Sequence, residues 1–111
     1  ELLPLLEMSD EDFRERFRGS PIKRAKRAGL QRNVCVALGN IRDPVAVPAL
    51  VKSLGARDAL VREHAAWALG RIGCDEARSA LRSALETEDD TAVRREIELC
   101  LADAQATAAD A

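Results

Sequence analysis

The chain has 111 residues, 47% of them hydrophobic and 32% charged, which is one domain's worth of sequence able to bury roughly two-thirds of its unfolded surface. Phe13, Phe17 and Trp67 are its only aromatic residues, and Ala and Leu dominate, so an all-α protein is expected and a β-sandwich is excluded. The net charge of −2 hides an asymmetry: Arg14 to Arg32 carries eight basic residues and one acid, leaving nine basic residues against eighteen acids elsewhere. A one-sided field of this kind bears on association rather than fold.

Taken in chain order, "SDEDFRERF" from Ser9 reads as a helix capped by Ser9 or Asp10, with acids in the first turn where the helix dipole favours them. Phe13 and Phe17, four apart, form its buried edge, and Gly19 ends it. Ser20 and Pro21 suit the N-cap and first turn of a short helix through Arg27. If Ser20 caps that helix, its free N–H groups stand beside Lys23, Arg24, Lys26 and Arg27. Helix-start amides with Lys and Arg form an anion site suited to phosphate. The competing reading is a solvated rim paired with Glu7, Asp10, Glu11 and Asp12, where single surface pairs are worth only ~0–1 kcal/mol.

From Val34 a repeat begins. "VCVALGNIRDPVAVPALVKSL" aligns with "AAWALGRIGCDEARSALRSAL" at an offset of 31, and "LVREHAAWALG" from Leu60 meets "AVRREIELCLA" at an offset of 32. A period near 31 made of helical phrases predicts an α-solenoid, in which helix pairs stack and bury their apolar stripes on their neighbours. Asp43 and Pro44 start one helix, with Val47, Leu50, Val51 and Leu54 as its buried face and Gly55 as the C′ glycine; Asp58 caps the next. The core stripes of the second helices are Leu30, Val34, Ala37 and Leu38, then Val61, Ala65, Ala68 and Leu69, then Val93, Ile97, Cys100 and Leu101. Five or six helices are expected between Pro21 and Ala104. The organisation expected is a lead-in with the basic segment over 1–29, a repeat domain over 30–104 and a frayed tail over 105–111, where "ADAQATAADA" loses its large apolar residues.

His64, Trp67 and Arg71 lie off the core stripe at i, i+3 and i+7; Asn33, Val36 and Asn40 hold the same places one repeat earlier, and Glu96, Leu99 and Asp103 one repeat later. Trp67 is either a packing residue between repeats or a platform for a base or sugar. His64 has no nucleophile or acidic orienter at a recognisable spacing and is alone as a metal ligand. Carboxylates such as those in "VRREIE" read as i, i+3 and i, i+4 companions of Arg on exposed faces. Cys35, Cys74 and Cys100 form no Cys-x-x-Cys and read as small buried thiols of a reduced, cytoplasmic protein. There is no Gly-rich phosphate loop, Walker motif or dinucleotide fingerprint, no signal-peptide pattern, and no apolar run near the ~20 residues of a membrane span. Glu1 opens the chain inside a helical phrase, as expected for part of a longer protein.

The phrase "DEDFRERFRGSPIKRAKRAGLQRNVCVALGN", Asp10 to Asn40, resembles the segment that follows the ferredoxin-like region in the epoxyqueuosine reductase family. That family's phrase has the form F-x-x-x-F-x-G-[ST]-P-[IL]-x-R, a basic turn, then R-N-x-x-[IV]-A-L-G-N leading into HEAT-like repeats of the PBS-lyase type. Phe13, Phe17, Gly19, Ser20, Pro21, Ile22, Arg24, Arg32, Asn33, Ala37, Leu38, Gly39 and Asn40 match it. "DALVREHAAWALGRIG" matches the later repeats less specifically, and past Ala77 only repeat character remains.

The resemblance implies a C-terminal helical domain of a tRNA-modifying reductase, whose iron–sulfur clusters and cobalamin belong to upstream regions, with no cofactor, metal or catalytic residue in this chain. Cys35, Cys74 and Cys100 match none of the family's cluster cysteines. The implied partners are the tRNA anticodon stem–loop and the upstream reductase domain, in the cytoplasm, without a membrane. Lys23, Arg24, Lys26, Arg27, Arg32, Asn33 and Asn40 are the candidate RNA-binding residues, for contacts to phosphate and ribose that position rather than specify. A HEAT-repeat scaffold that grips a protein partner is the alternative, and a self-sufficient enzyme is disfavoured by the missing nucleophile, cluster and cofactor loop.

Overall fold

The structure is a computed structural model that describes Leu3 and residues 24–110, with side-chain surroundings for Leu3 and 28–102. The described residues are all-α: α1 (Arg24–Ile41), a 3-10 turn (Pro44–Ala46) leading into α2 (Val47–Ser53), α3 (Ala59–Ile72), α4 (Asp75–Thr87) and α5 (Thr91–Asp110). Helices α1, α3 and α5 lie side by side as one layer, and α2 and α4 form a second layer against α3 and α5. This is the solenoid that the 31-residue period predicts.

Local chemistry sets the helix boundaries. Asp43 Oδ1 accepts from Val45 N–H at 3.0 Å, and Asp58 Oδ1 from Leu60 N–H at 2.8 Å, so both predicted aspartate caps are in place. Asp90, unassigned from sequence, accepts from the amides of Ala92 and Val93 to start α5. α4 has no side-chain cap and instead carries Asp75 and Glu76 in its first turn, favourable to the dipole.

The chain reverses after α3 at Gly73, which has φ 68° and donates its N–H to Leu69 O at 2.9 Å. One repeat earlier Arg42 does the same with φ 60°, donating to Leu38 O at 3.0 Å. An L-residue held there is strained by about 1–2 kcal/mol, because its Cβ crowds the carbonyl.

Several expectations are corrected. The helix predicted to stop at Arg27 continues to Ile41, passing through Gly29, since one glycine costs only ~1 kcal/mol in a helix supported by packing. The division after Gly29 therefore falls inside α1. Gly55 does not take the left-handed conformation; α2 ends in a tight turn with Leu54 N–H on Leu50 O and Gly55 N–H on Lys52 O. The buried face of α2 is Val47, Ala49, Leu50 and Ser53, so Val47 and Leu50 hold their predicted places while Val51 is turned outward and the smaller Ala49 and Ser53 are buried instead. Helical backbone runs to Asp110, in keeping with the high helix propensity of its alanines. The helix expected at 9–17 and the cap at Ser20 lie outside the described residues.

The core is one continuous cluster. Val34, Cys35 and Leu38 of α1 meet Ala65, Ala68 and Leu69 of α3, which meet Val93 and Ile97 of α5; Leu50 and Leu81 close it from the second layer. Leu30 and Ala37 are only half-buried, and Cys35 takes the buried place instead. Burial pushes the Cys35 thiol up to about 12, which leaves it protonated and inert. Cys74 and Cys100 are half-buried rather than fully enclosed.

Two glycines at equivalent repeat positions set the spacing of the first layer. A Cβ on Gly39 would lie 2.5 Å from Trp67 Cζ3 and 3.1 Å from Ala68 Cα; a Cβ on Gly70 would lie 2.9 Å from Cys100 Cβ. Both contacts are too close for any side chain, so α1 approaches α3, and α3 approaches α5, only because glycine is there. In urea denaturation, Gly39→Ala and Gly70→Ala are each expected to lower stability by about 1–3 kcal/mol, overpacking outweighing the ~1 kcal/mol gain in helix propensity. Arg42→Gly is expected to raise stability by about 0.5–1 kcal/mol by relieving the left-handed strain.

Candidate nucleic-acid interface

Helix α1 carries no acidic residue from Arg24 to Ile41. Arg24, Lys26 and Arg27 occupy its first two turns; their side chains, and all of Lys23, lie outside the described residues. By register Lys26, Asn33 and Asn40 fall seven apart on one face, and Asn33 and Asn40 are exposed there. Arg32 is half-buried. Its Nε is buried without a hydrogen-bond partner, and no described carboxylate pairs with it. A buried guanidinium N–H left unsatisfied is costly. Of the seven candidate RNA contacts, the structure thus places Arg32, Asn33 and Asn40 on α1 and leaves the side chains of the other four undescribed.

The face continues onto α3 at the half-buried His64 and Trp67 and the exposed Arg71, and onto α5 at the half-buried Glu96 and the exposed Leu99. Trp67 packs against the core and its ring edge meets Gly39, so it fills the space the glycine leaves. It also fronts two surface depressions. One of about 350 Å³ is lined by Arg42, Trp67, Arg71, Arg78, Glu96 and Leu99, among others. The other, about 240 Å³, is lined by Val36, Glu63, His64, Trp67 and Glu96. The Arg71 guanidinium carbon sits 5.6 Å from the Trp67 ring centroid, a cation–π contact. His64 Nδ1 lies 2.7 Å from Leu60 O; a carbonyl only accepts, so Nδ1 carries the proton. That bond belongs to the helix itself and forms no catalytic dyad.

The sequence reading of Arg–carboxylate pairs as exposed companions within one helix is overturned at Arg62 and Arg94. Arg62 Nε and Nη2 donate to Glu88 Oε1 and Oε2 at 2.9 and 3.0 Å, 26 residues away, and Nη1 donates to the carbonyls of Ala56 and Arg57 at 2.8 and 3.0 Å. At the equivalent place in the next repeat, Arg94 Nη1 donates to Leu85 O and Glu88 O, both at 2.9 Å. Each arginine satisfies carbonyls left open where the preceding helix ends. The signal that could have found them is their recurrence at one repeat position, not their spacing from acids.

Glu88 is nearly enclosed, with 6% side-chain exposure. Burial pushes its carboxyl up, but the Arg62 hydrogen bonds, the Asp90 amide and the Arg62 charge together bring it below the ordinary range. The same pair holds Arg62 above its ordinary value, so Arg62 stays charged at every accessible pH.

The donor set does not fit an iron–sulfur cluster. None of the three cysteines is in a disulfide, and no group of three or more His, Cys, Asp or Glu side chains among the described residues could hold a metal ion. Among the described residues no helix is long and apolar enough to cross a membrane.

With this geometry in view, comparison with known proteins is informative. The family model for HEAT repeats matches residues 22–102. The chain belongs to the HEAT-repeat family. Within it, the chain is 36% identical over 98 residues to the epoxyqueuosine reductase of Listeria monocytogenes, covering 87% of this chain and 26% of that protein. It is 37% identical over 97 residues to an uncharacterized protein in the gldA 3′ region of Geobacillus stearothermophilus, covering 86% of this chain and 45% of that one. A crystal structure of epoxyqueuosine reductase with a tRNA-Tyr epoxyqueuosine-modified tRNA stem loop superposes with a TM-score of 0.78 at 34% identity, over 90% of this chain and 27% of that chain. The resemblance read from Asp10 to Asn40 thus extends over most of the chain, which spans between a quarter and a half of the length of these relatives.

The Arg62–Glu88 pair gives a pH prediction. A carboxylate depressed on folding stabilises the protein above its unfolded value of ~4.3, and this contribution is lost as pH falls through its lower folded value. Glu88→Gln is expected to cost about 1.5–3 kcal/mol at pH 7. The gap in Tm between it and the wild type should close as pH falls from 5 toward 3, read by circular dichroism melts.

Proposed function

We propose that this chain is the C-terminal HEAT-like domain of an epoxyqueuosine reductase, and that it binds and positions the anticodon stem–loop of tRNA for chemistry carried out in another part of a longer protein. The observation that carries this reading is the concentration of eight basic residues against one acid between Arg14 and Arg32, continued by an α1 without acids. The similarity over 90% of the chain to a reductase crystallised with a tRNA stem loop supports it.

In this reading Lys23, Arg24, Lys26, Arg27 and Arg32 meet phosphates, and Asn33 and Asn40 reach ribose or base edges along the same face. Phosphate contacts fix register and orientation without reading sequence, the role required of a domain that presents a wobble base elsewhere. Arg32 is half-buried on the same helix, beside the exposed Asn33. The reductase chemistry, with iron–sulfur clusters and cobalamin, belongs in this reading to an upstream domain of the same chain, against which the solenoid docks, in the cytoplasm where tRNA is modified.

Titrating the chain against a fluorescein-labelled anticodon stem–loop tests the proposal. If five cations each neutralise one phosphate, log Kobs falls with log salt at a slope of about −4 to −5. The charge reversal Lys23→Glu, Arg24→Glu, Lys26→Glu and Arg27→Glu should abolish binding at the wild-type Kd. Absence of binding even at low salt overturns the proposal, and full affinity in the charge-reversed variant favours a protein-binding scaffold instead.

A further inference from the structure

We propose that the depression formed by Arg42, Arg71 and Arg78 beside Trp67 is a second phosphate-binding site, which takes a phosphodiester of the same RNA that the start of α1 grips. The inference rests on the RNA-binding reading above and adds to it a site in residues that the basic segment does not include.

Three guanidinium groups from three different elements line one depression: Arg42 from the turn after α1, Arg71 from the last turn of α3 and Arg78 from α4. The backbone of Arg42 is fixed by the left-handed turn whose equivalent one repeat later is Gly73, and its side chain is exposed. The next repeat uses glycine where this one keeps a strained arginine, and that arginine lines the depression. Arg71 lies on the Trp67 ring, leaving the N–H edge of its planar fork free for an anion. Arg78 is oriented by Asp75, whose own side chain is 95% exposed and therefore well screened by solvent. The one carboxylate lining the depression, Glu96, accepts a hydrogen bond from the Cys100 thiol at 3.4 Å. Three arginines, one of them paired with Asp75, against the single lining acid Glu96 favour a phosphoryl group over a neutral or cationic ligand.

The choice of an RNA phosphate rests on α1. Eighteen helical residues at 1.5 Å each place Arg42 about 27 Å from Arg24. No acid occurs on the helix between them, and its exposed stripe there is Asn33, Val36 and Asn40. A phosphate backbone following this face meets cations at both ends and no repulsive charge on the way. Asp43, the next acid, is occupied in capping the following turn.

The test uses the full chain, the same labelled stem–loop and the double variant Arg42→Gly with Arg71→Gln. Glycine keeps the backbone of the turn, and glutamine keeps a polar side chain beside Trp67. Expected are roughly tenfold weaker binding and a salt slope shallower by about one, for the single phosphodiester that the site holds. Trp67 is the single tryptophan, so its emission in the wild type should change saturably with the same Kd as the label.

Wild-type affinity and slope in the double variant overturn the second site while leaving the RNA-binding reading intact. A weaker affinity with an unchanged slope also overturns it, since the arginines would then act through structure. No wild-type binding at low salt removes both. As a further arm, inorganic phosphate is titrated against Trp67 emission: a saturable response together with unchanged RNA affinity in the variant overturns the RNA assignment in favour of a free-anion site.

Discussion

The close approach of neighbouring helices at Gly39 and Gly70 is the constraint on which the rest of the structure depends. At both positions a Cβ has no room against the helix of the next repeat. Because the same contact recurs one repeat apart, α3 approaches both α1 and α5 closely, and its small residues Ala65, Ala66 and Ala68 are fully buried. The outer stripes of the three helices then align into one surface running from Asn33 through His64 and Trp67 to Glu96. The repeat thus makes a face, and the residues on that face differ from repeat to repeat.

Arginine serves two purposes in this fold, and geometry separates them. Where a guanidinium lies beside the open carbonyls of a helix end, it is absorbed into the structure, as with Arg62 on Ala56, Arg57 and Glu88 and Arg94 on Leu85 and Glu88. Where no carbonyls converge, the charge stays available: Arg71 is exposed and rests on an indole ring. Arg42, Arg71 and Arg78 share one depression with Glu96 of α5, so three arginines there face a single lining acid.

The period, the helical class and the caps at Asp43 and Asp58 were legible in the sequence because they depend on residues close together in the chain. The outward turn of Val51 was not, because its neighbours Ala46, Ala49 and Ser53 win the buried side by being small enough for close packing, a property of the opposing surface. Nor was the Arg62–Glu88 pair, whose partners are 26 residues apart and meet only once α3 and α4 are stacked. Arg42 was visible as a basic residue, yet its strained turn emerges only from the superposition of its repeat on Gly73. Trp67, read as either packing or platform, is a packing residue against Gly39 whose exposed side borders both depressions. The basic segment was legible as charge; of its side chains, the structure describes only those from Ala28 onward.

The central claim is that the acid-free face of α1 lies against an RNA backbone. Photocross-linking the anticodon stem–loop to the full chain, then locating the adducts by peptide mass spectrometry, tests it most directly. The account predicts adducts concentrated between Lys23 and Arg42, with Trp67, Arg71 and Arg78 the only substantial positions beyond them. Adducts concentrated on α2 and α4, or cross-linking that ignores the first helix, would contradict it.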